Sequence, residues 1–581
     1  VDRTDADGIS VGSPTTAPRG VPEPLVVGGD RPKRPGVAGR ARWAAAVGGS
    51  AAVIVASAIL GAVLVGGAGP SGLLARTPAD SVAYVELRLD LPGNQRDALG
   101  RFLAHVPGFD DRSLLEPKLA DLFERTVVGA SGGRLHWSGG IDAWFGGQAA
   151  LALRNLPDPG SEPFESAPLL LAAVRDPVAA RSWSTAALDA LGLSWTLDRL
   201  AGREVLLVGG APSPRAVAVE DDVLVAGRLD DVRAVLETGP ASSLGAAAST
   251  RAALDALPAD HVAWLYVDGV AVRAWLAGAL SGAGTAGELP GLEVPTWFSA
   301  ELRFDADLAV VEAAAPVRTA GRAAEAPPTL AGRVPADALA FAAVGGFGAS
   351  LTERVDALRR DPAVGASVEG LLAILDRVGG LEAVAGWIDE LGLVAGVEAD
   401  RPWAALVAVP RDRAAAEALA GSLLNLARLS VPGLVIDEVS VNGTTIVSVE
   451  LPASGGGAPP TDDSGRLRVA WAVGPDVVVL APEAAVVRRI LELDPSASLA
   501  RNERYATLIA RAGGPGGSRV VFLDLARLRA LAETGLEPAD RARYERDLRP
   551  YLVPFDAAAV VSRTDGDLER SILVVRVVEA E

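Results

Sequence analysis

One phrase is written three times along this chain. "PADSVAYVELRLD" begins at Pro78, "PADHVAWLYVD" at Pro258 and "PADALAFAAVGG" at Pro335. The first and last open two long stretches that echo each other at a near-constant offset of about 256 residues. "DVLVAGRLDDVRAVLE" from Asp222 answers "DVVVLAPEAAVVRRILE" from Asp476, setting Val232, Arg233, Leu236 and Glu237 against Val487, Arg488, Leu491 and Glu492. "WLYVDGVAVRAWL" answers "VVFLDLARLRALA", with Asp268 on Asp524 and Arg273 on Arg529. Such self-similarity constrains the fold strongly, because whatever one copy adopts the other must adopt too. The spacing predicts two tandem homologous lobes, residues 78–320 and 335–579, joined by the linker "RAAEAPPTLAGR".

The occurrence at Pro258 lies inside the first lobe and marks a strand opening. Pro and Asp make the turn, and alternation follows. In "SVAYVELRLD" the alternation places Ala83, Val85, Leu87 and Leu89 on one face and Tyr84, Glu86, Arg88 and Asp90 on the other, the pattern of a half-buried strand. In "HVAWLYVD" it places Ala263, Leu265 and Val267 inward and Trp264 and Tyr266 outward. Asp268 and Asp524 stand where helix N-caps belong, and Ser350 with Glu353 forms a capping box for "LTERVDALRR". Asp221-Asp222 reads as a hairpin turn and Asp230-Asp231 as a helix first turn. Short turns between strands favour antiparallel pairing. The expected class is α+β, each lobe an antiparallel sheet with its helices on one face.

The chain before the lobes has a different character. Residues 1–42 are polar and rich in Pro and Gly, the composition of a disordered tail. Trp43 to Gly69 carries no charge and is long enough to cross a bilayer as a helix. Arg31, Lys33, Arg34, Arg40 and Arg42 crowd its N-terminal side. The positive-inside rule then leaves the tail in the cytoplasm and both lobes outside, in a single-pass protein of the cell membrane.

Composition excludes several chemistries. The net charge of -19 disfavours contact with phosphate backbones, so no nucleic-acid partner is expected. The absence of cysteine removes disulfides, thiol nucleophiles and cysteine zinc sites. The histidines His105, His136 and His261 do not pair at metal-ligand spacing, and no phosphate loop, dinucleotide fingerprint or calcium loop occurs. No metal or cofactor is expected. "GASGG" matches a nucleophile elbow around Ser131 in letters only, since a helix precedes it and a glycine-rich loop follows. A ligand, if bound, is best sought in "VVGASGGRLHWSGGIDAWFGGQ". There His136, Trp137, Asp142 and Trp144 could stack on a small molecule and hydrogen-bond to it. Asp142 aligns with Asp389 of the second lobe, which points instead to a recurring framework turn.

Pro78-Ala79-Asp80, Asp142-Ala143-Trp144-Phe145-Gly146 and the second "PADHVAW" resemble a bacterial family catalogued as domain of unknown function 3352. The second lobe departs from that pattern, reading "WIDELGLVAG", where Ile388-Asp389 and Gly392 persist. The resemblance implies one span near the N-terminus and a large extracytoplasmic region, and no activity. The leading expectation is a non-catalytic binding or scaffolding module of the cell envelope, with an unidentified envelope protein or ligand as partner. Two alternatives stand beside it: an envelope hydrolase using carboxylates that folding brings together, and a carrier of an apolar ligand.

Overall fold

The computed structural model describes residues 72–109, 111, 115–156, 168–209, 214–282, 294–317, 326–360, 365–376, 379–398, 401–431, 434–451 and 467–579. The tail at 1–42, the apolar stretch Trp43–Gly69, part of the linker and the acidic loop Pro452–Gly465 lie outside them. Among the described residues no helix is long and apolar enough to cross a membrane.

The first half contributes ten strands: β1 (Ala83–Arg88), β2 (Phe145–Leu153), β3 (Leu169–Val174), β4 (Trp195–Leu200), β5 (Arg203–Val208), β6 (Arg215–Val219), β7 (Val223–Arg228), β8 (Ala263–Asp268), β9 (Trp297–Asp305) and β10 (Leu308–Pro316). The second contributes β11 (Ala340–Gly345), β12 (Ile388–Glu398), β13 (Arg401–Pro410), β14 (Val435–Val441), β15 (Thr444–Leu451), β16 (Leu467–Val473), β17 (Val478–Ala481), β18 (Arg519–Leu523), β19 (Phe555–Asp565) and β20 (Leu568–Val577). Antiparallel neighbours run β4-β5-β6-β7-β3-β2-β1-β8-β9-β10 in the first half. In the second they run β14-β15-β16-β17-β13-β12-β11-β18-β19-β20, the same order. The two last strands, β10 and β20, pair antiparallel and join the strands of the described residues into one 20-stranded sheet. Glu312 sits opposite Ile572 there, and the register is symmetric about that pair.

Backbone contacts outside the strands repeat as well. Pro78 bridges to Ser243 and Pro335 to Ser498. Asp268 N–H donates to the Val82 carbonyl and Asp524 N–H to the Leu339 carbonyl, each at 2.8 Å. Both aspartates then cap helices, Asp268 accepting from Val270 and Ala271 and Asp524 from Arg527, as their positions predicted. Asp221-Asp222 forms the β6–β7 turn.

The helices named below are α1 (Gln95–Leu103), α2 (Leu115–Ser131), α3 (Pro177–Ala190), α4 (Leu229–Glu237), α5 (Ala248–Asp255), α6 (Gly269–Gly282), α7 (Phe347–Arg360), α8 (Gly365–Leu375), α9 (Arg413–Ser430), α10 (Ala484–Leu491), α11 (Glu503–Arg511) and α12 (Leu525–Thr534). Asp230 and Asp231 lie in the first turn of α4, as expected. Ser350 does not cap α7, which begins at Phe347, so the expected capping box falls inside the helix.

Two expectations about sheet faces are overturned. Trp264 and Tyr266 are buried while Leu265 is only half-buried, the reverse of the predicted orientation. In β1 likewise Tyr84, Glu86 and Arg88 are buried and Val85 is 44 % exposed. The aromatic rings carry more apolar area than the aliphatic face, and the charges travel inward as partners. Tyr84 Oη donates to Glu86 Oε2 at 2.5 Å, and Arg88 pairs with Asp90 at 2.8 Å. Nor do the helices keep to one face. In the second half Val407 and Val479 belong to a core with α10 and α11, through Val486, Val487, Ile490, Tyr505 and Leu508. Their chain neighbours Ala408 and Val478 point the other way and pack on Ala416 and Leu419 of α9 and Phe347 of α7. The sheet is therefore wrapped fully on one face and partly on the other.

Candidate functional site

The stretch singled out in the sequence forms a turn between α2 and β2. Ser131 ends α2, and its Oγ accepts from Leu135 N–H at 2.9 Å, a local structural bond. His136 Nδ1 lies 2.6 Å from Glu124 Oε1. Glu124 Oε2 accepts from the backbone N–H groups of Trp137 and Ser138 at 2.8 and 2.9 Å. The Ser138 N–H and then the His136 ring hold the Glu124 carboxyl below its usual range. Trp137 stacks on Phe123 at 4.7 Å between ring centroids, and Trp144 lies 5.1 Å from Trp183. Both tryptophans are buried. Asp142 Oδ1 and Trp144 Nε1 are buried with no hydrogen-bond partner among the described residues.

These four residues share a turn. His136 faces Glu124 and solvent, and the two indoles belong to one ring cluster through Phe145, whose ring lies 5.7 Å from Trp137 and 6.1 Å from Trp144 between centroids. The supposed match of Asp142 with Asp389 fails. Arg88 pairs with Gln148 and Gly345 with Glu390, so Asp389 falls in register with Gly147. Asp389 sits on β12, 3.4 Å from Arg411. Glu390, the counterpart of Gln148, is buried and accepts from Thr329 N–H at 2.7 Å and Leu330 N–H at 3.0 Å, fastening the linker to the sheet. His105 Nδ1 lies 3.1 Å from the Arg101 carbonyl at the end of α1, a capping role.

Two features escaped the sequence. The first is a row of carboxylates on the wrapped face. Glu86 on β1, Trp264 on β8, Glu301 on β9 and Glu312 on β10 lie directly opposite one another in succession. All four are buried, Glu301 to 1 % exposure. Burial pushes the Glu301 carboxyl up to about 7, with the Glu312 charge adding to the rise and Arg303 opposing it. In the second half the same row reads Ala343, Val520, Val561 and Ile572, all apolar and buried. The frame thus folds without charge at these positions, and the charge in the first half is additional. Alternation could have revealed the row only if Tyr84 and Trp264 had been assigned inward.

The second feature is an aliphatic stripe on the half-open face. Leu197, Leu206, Val217, Ala226, Leu170, Leu151 and Val85 follow one another from β4 to β1. The second half carries the matching stripe Trp471, Leu480, Leu406 and Leu393. Leu151 and Leu393 occupy the same register position and are 46 % and 54 % exposed; Leu170 and Leu406 are another such pair, at 38 % and 41 %. Beside the β10–β20 junction this face also holds an apolar hollow of about 300 Å³, lined by Val267, Val272, Pro295, Phe298 and Ala313.

No curated protein matches the chain. Among solved structures, crystal forms IV and I of TP0453 each align with 43 % of this chain and 81 % of their own, at 10 % identity and TM-scores of 0.23 and 0.22. The profile of the family described as protein of unknown function (DUF3352) matches residues 103–541, and the chain belongs to that family.

Proposed function

We propose that this chain is a non-catalytic binding module of the bacterial cell envelope, holding an elongated aliphatic ligand on the half-open face of its sheet. The observation that carries this reading is the exposed leucine stripe at matching register positions in both halves, Leu151 with Leu393 and Leu170 with Leu406. An apolar surface of this extent is costly to leave in water and marks a contact site. Its composition favours an acyl chain over a protein. Protein hot spots are rich in Trp, Tyr and Arg, whereas the first-half stripe is entirely Leu, Val and Ala.

The rest of the reading rests on the sequence. We take Trp43–Gly69 as the anchor that keeps the module at the membrane, where such ligands are found, and the repeated strand order as a tandem duplication. The hydrolase alternative has a specific pair behind it, Glu301 and Glu312, but the Glu301 side chain has no exposed surface and lies in the core, where no substrate reaches it.

The test is solvent extraction of the protein purified from membranes, with mass spectrometry of what it releases. The comparison is a Leu151→Asp/Leu393→Asp variant. The reading expects an aliphatic compound from the wild type and its loss from the folded variant. Equal recovery from both, or none from either, sinks it.

A further inference from the structure

The buried carboxylate row meets the junction of the two halves, and there it is clamped by arginines from both sides. Arg303 Nε donates to Glu301 Oε1 at 3.1 Å, and its Nη2 lies 3.5 Å from Glu312 Oε2. Arg570, on β20, donates from Nη1 to Glu312 Oε1 at 3.0 Å and to the Ala256 carbonyl at 2.6 Å. Glu301 Oε2 is buried with no hydrogen-bond partner among the described residues. Two carboxylates directly opposite on adjacent strands bring their side chains to within about 5 Å at Cβ. Ionising Glu301 there is costly, because one of its oxygens lacks both solvent and partner.

We propose that Glu301 holds a proton in the fold beside the junction of the two halves, and that losing it loosens the β10–β20 seam. The sheet would then sense ambient pH at the place where its halves meet. When Glu301 ionises, its unpartnered oxygen gains by drawing water between β9 and β10. Glu312 shifts with it, and Arg570 carries the strain into β20. The upward displacement of the Glu301 carboxyl agrees with this direction.

Asp260 acts on Glu301 from the turn before β8, and its repulsion favours the protonated form. Glu86 lies further along the row with Tyr84 as partner, and Arg88 with Asp90 forms a separate pair. His261 is buried near Trp264, 6.5 Å away between ring centroids, and burial pulls its ring below the usual range. Of α1 and α5, which pack on β9, the side chains of Arg96, Asp97, Arg251 and Asp255 are exposed and Arg101 is half-exposed. The second half contains the control, since Val561 and Ile572 occupy the matching positions without charge.

Hydrogen exchange on the full chain tests the proposal, comparing amides of β10 and β20 with those of β15 and β16 between about pH 5 and about pH 8. In the wild type, seam protection relative to β15–β16 is expected to fall roughly tenfold to a hundredfold as pH rises through neutrality. Glu301→Val, which copies Val561, should keep the seam protected throughout. Glu301→Gln is the second variant should the valine disturb folding. A wild-type seam whose relative protection ignores pH overturns the proposal, and so does either folded variant with an unchanged pH profile.

Discussion

Replacing Glu301 by Gln removes a buried ionisable group while keeping its shape. The wild-type carboxyl rises from 4.5 in the unfolded chain to about 7 in the fold. Each unit is worth about 1.4 kcal/mol, so ionised Glu301 weakens the fold by about 3 kcal/mol relative to its protonated form. Below about 4.5 the group is protonated in both states and its contribution is complete. As pH rises above that value the unfolded chain releases the proton first, and stability falls until the folded group ionises at about 7. His261 slopes oppositely. Its ring is pulled down by burial, so its contribution is lost as pH falls below 6.5, and the wild-type profile alone mixes the two. The difference between variant and wild type isolates Glu301. In urea titrations Glu301→Gln should match the wild type near pH 4.5 and exceed it by about 3 kcal/mol near pH 8. Equal stability at both pH values, or a variant weaker near pH 8, would refute the claim that burial dominates this carboxyl.

Two further perturbations probe the frame. Asp268→Ala removes only an N-cap and should cost about 1 kcal/mol in denaturant midpoint analysis. Asp524→Ala also removes one of the two carboxylates on Arg504, which lies 2.8 Å from it and keeps Asp556 at 3.0 Å, and should cost about 2 kcal/mol. Equal costs would show that the ion pair adds nothing. At Gly348 in α7, an added Cβ would approach the Ala385 and Ile388 carbonyl oxygens to 2.5 and 2.6 Å. Gly348→Ala should therefore lower stability by about 1–3 kcal/mol. Gly278 in α6 has open space around its Cβ position, and Gly278→Ala should raise stability by about 0.5–1 kcal/mol.

Local chemistry alone determined much of this protein. The repeated phrases at Pro78 and Pro335 lead into β1 and β11, which hold the same place in the strand order of each half. The caps at Asp268 and Asp524 and the turn at Asp221-Asp222 could be read from short windows, because each depends only on backbone groups a few residues away. Facing could not be read. In β1 one side is Ala, Val and Leu and the other Tyr, Glu and Arg, and burial went to the second because its charges find partners and its ring has more area to hide. The turn at His136–Trp144 holds residue types that suit a ligand, and only the fold showed that Trp137 and Trp144 pack on a shared Phe145 while His136 turns to Glu124. The row Glu86–Trp264–Glu301–Glu312 gathers residues more than 200 positions apart. Only strand pairing brings them side by side, and only the antiparallel meeting of β10 with β20 sets that row against its apolar double.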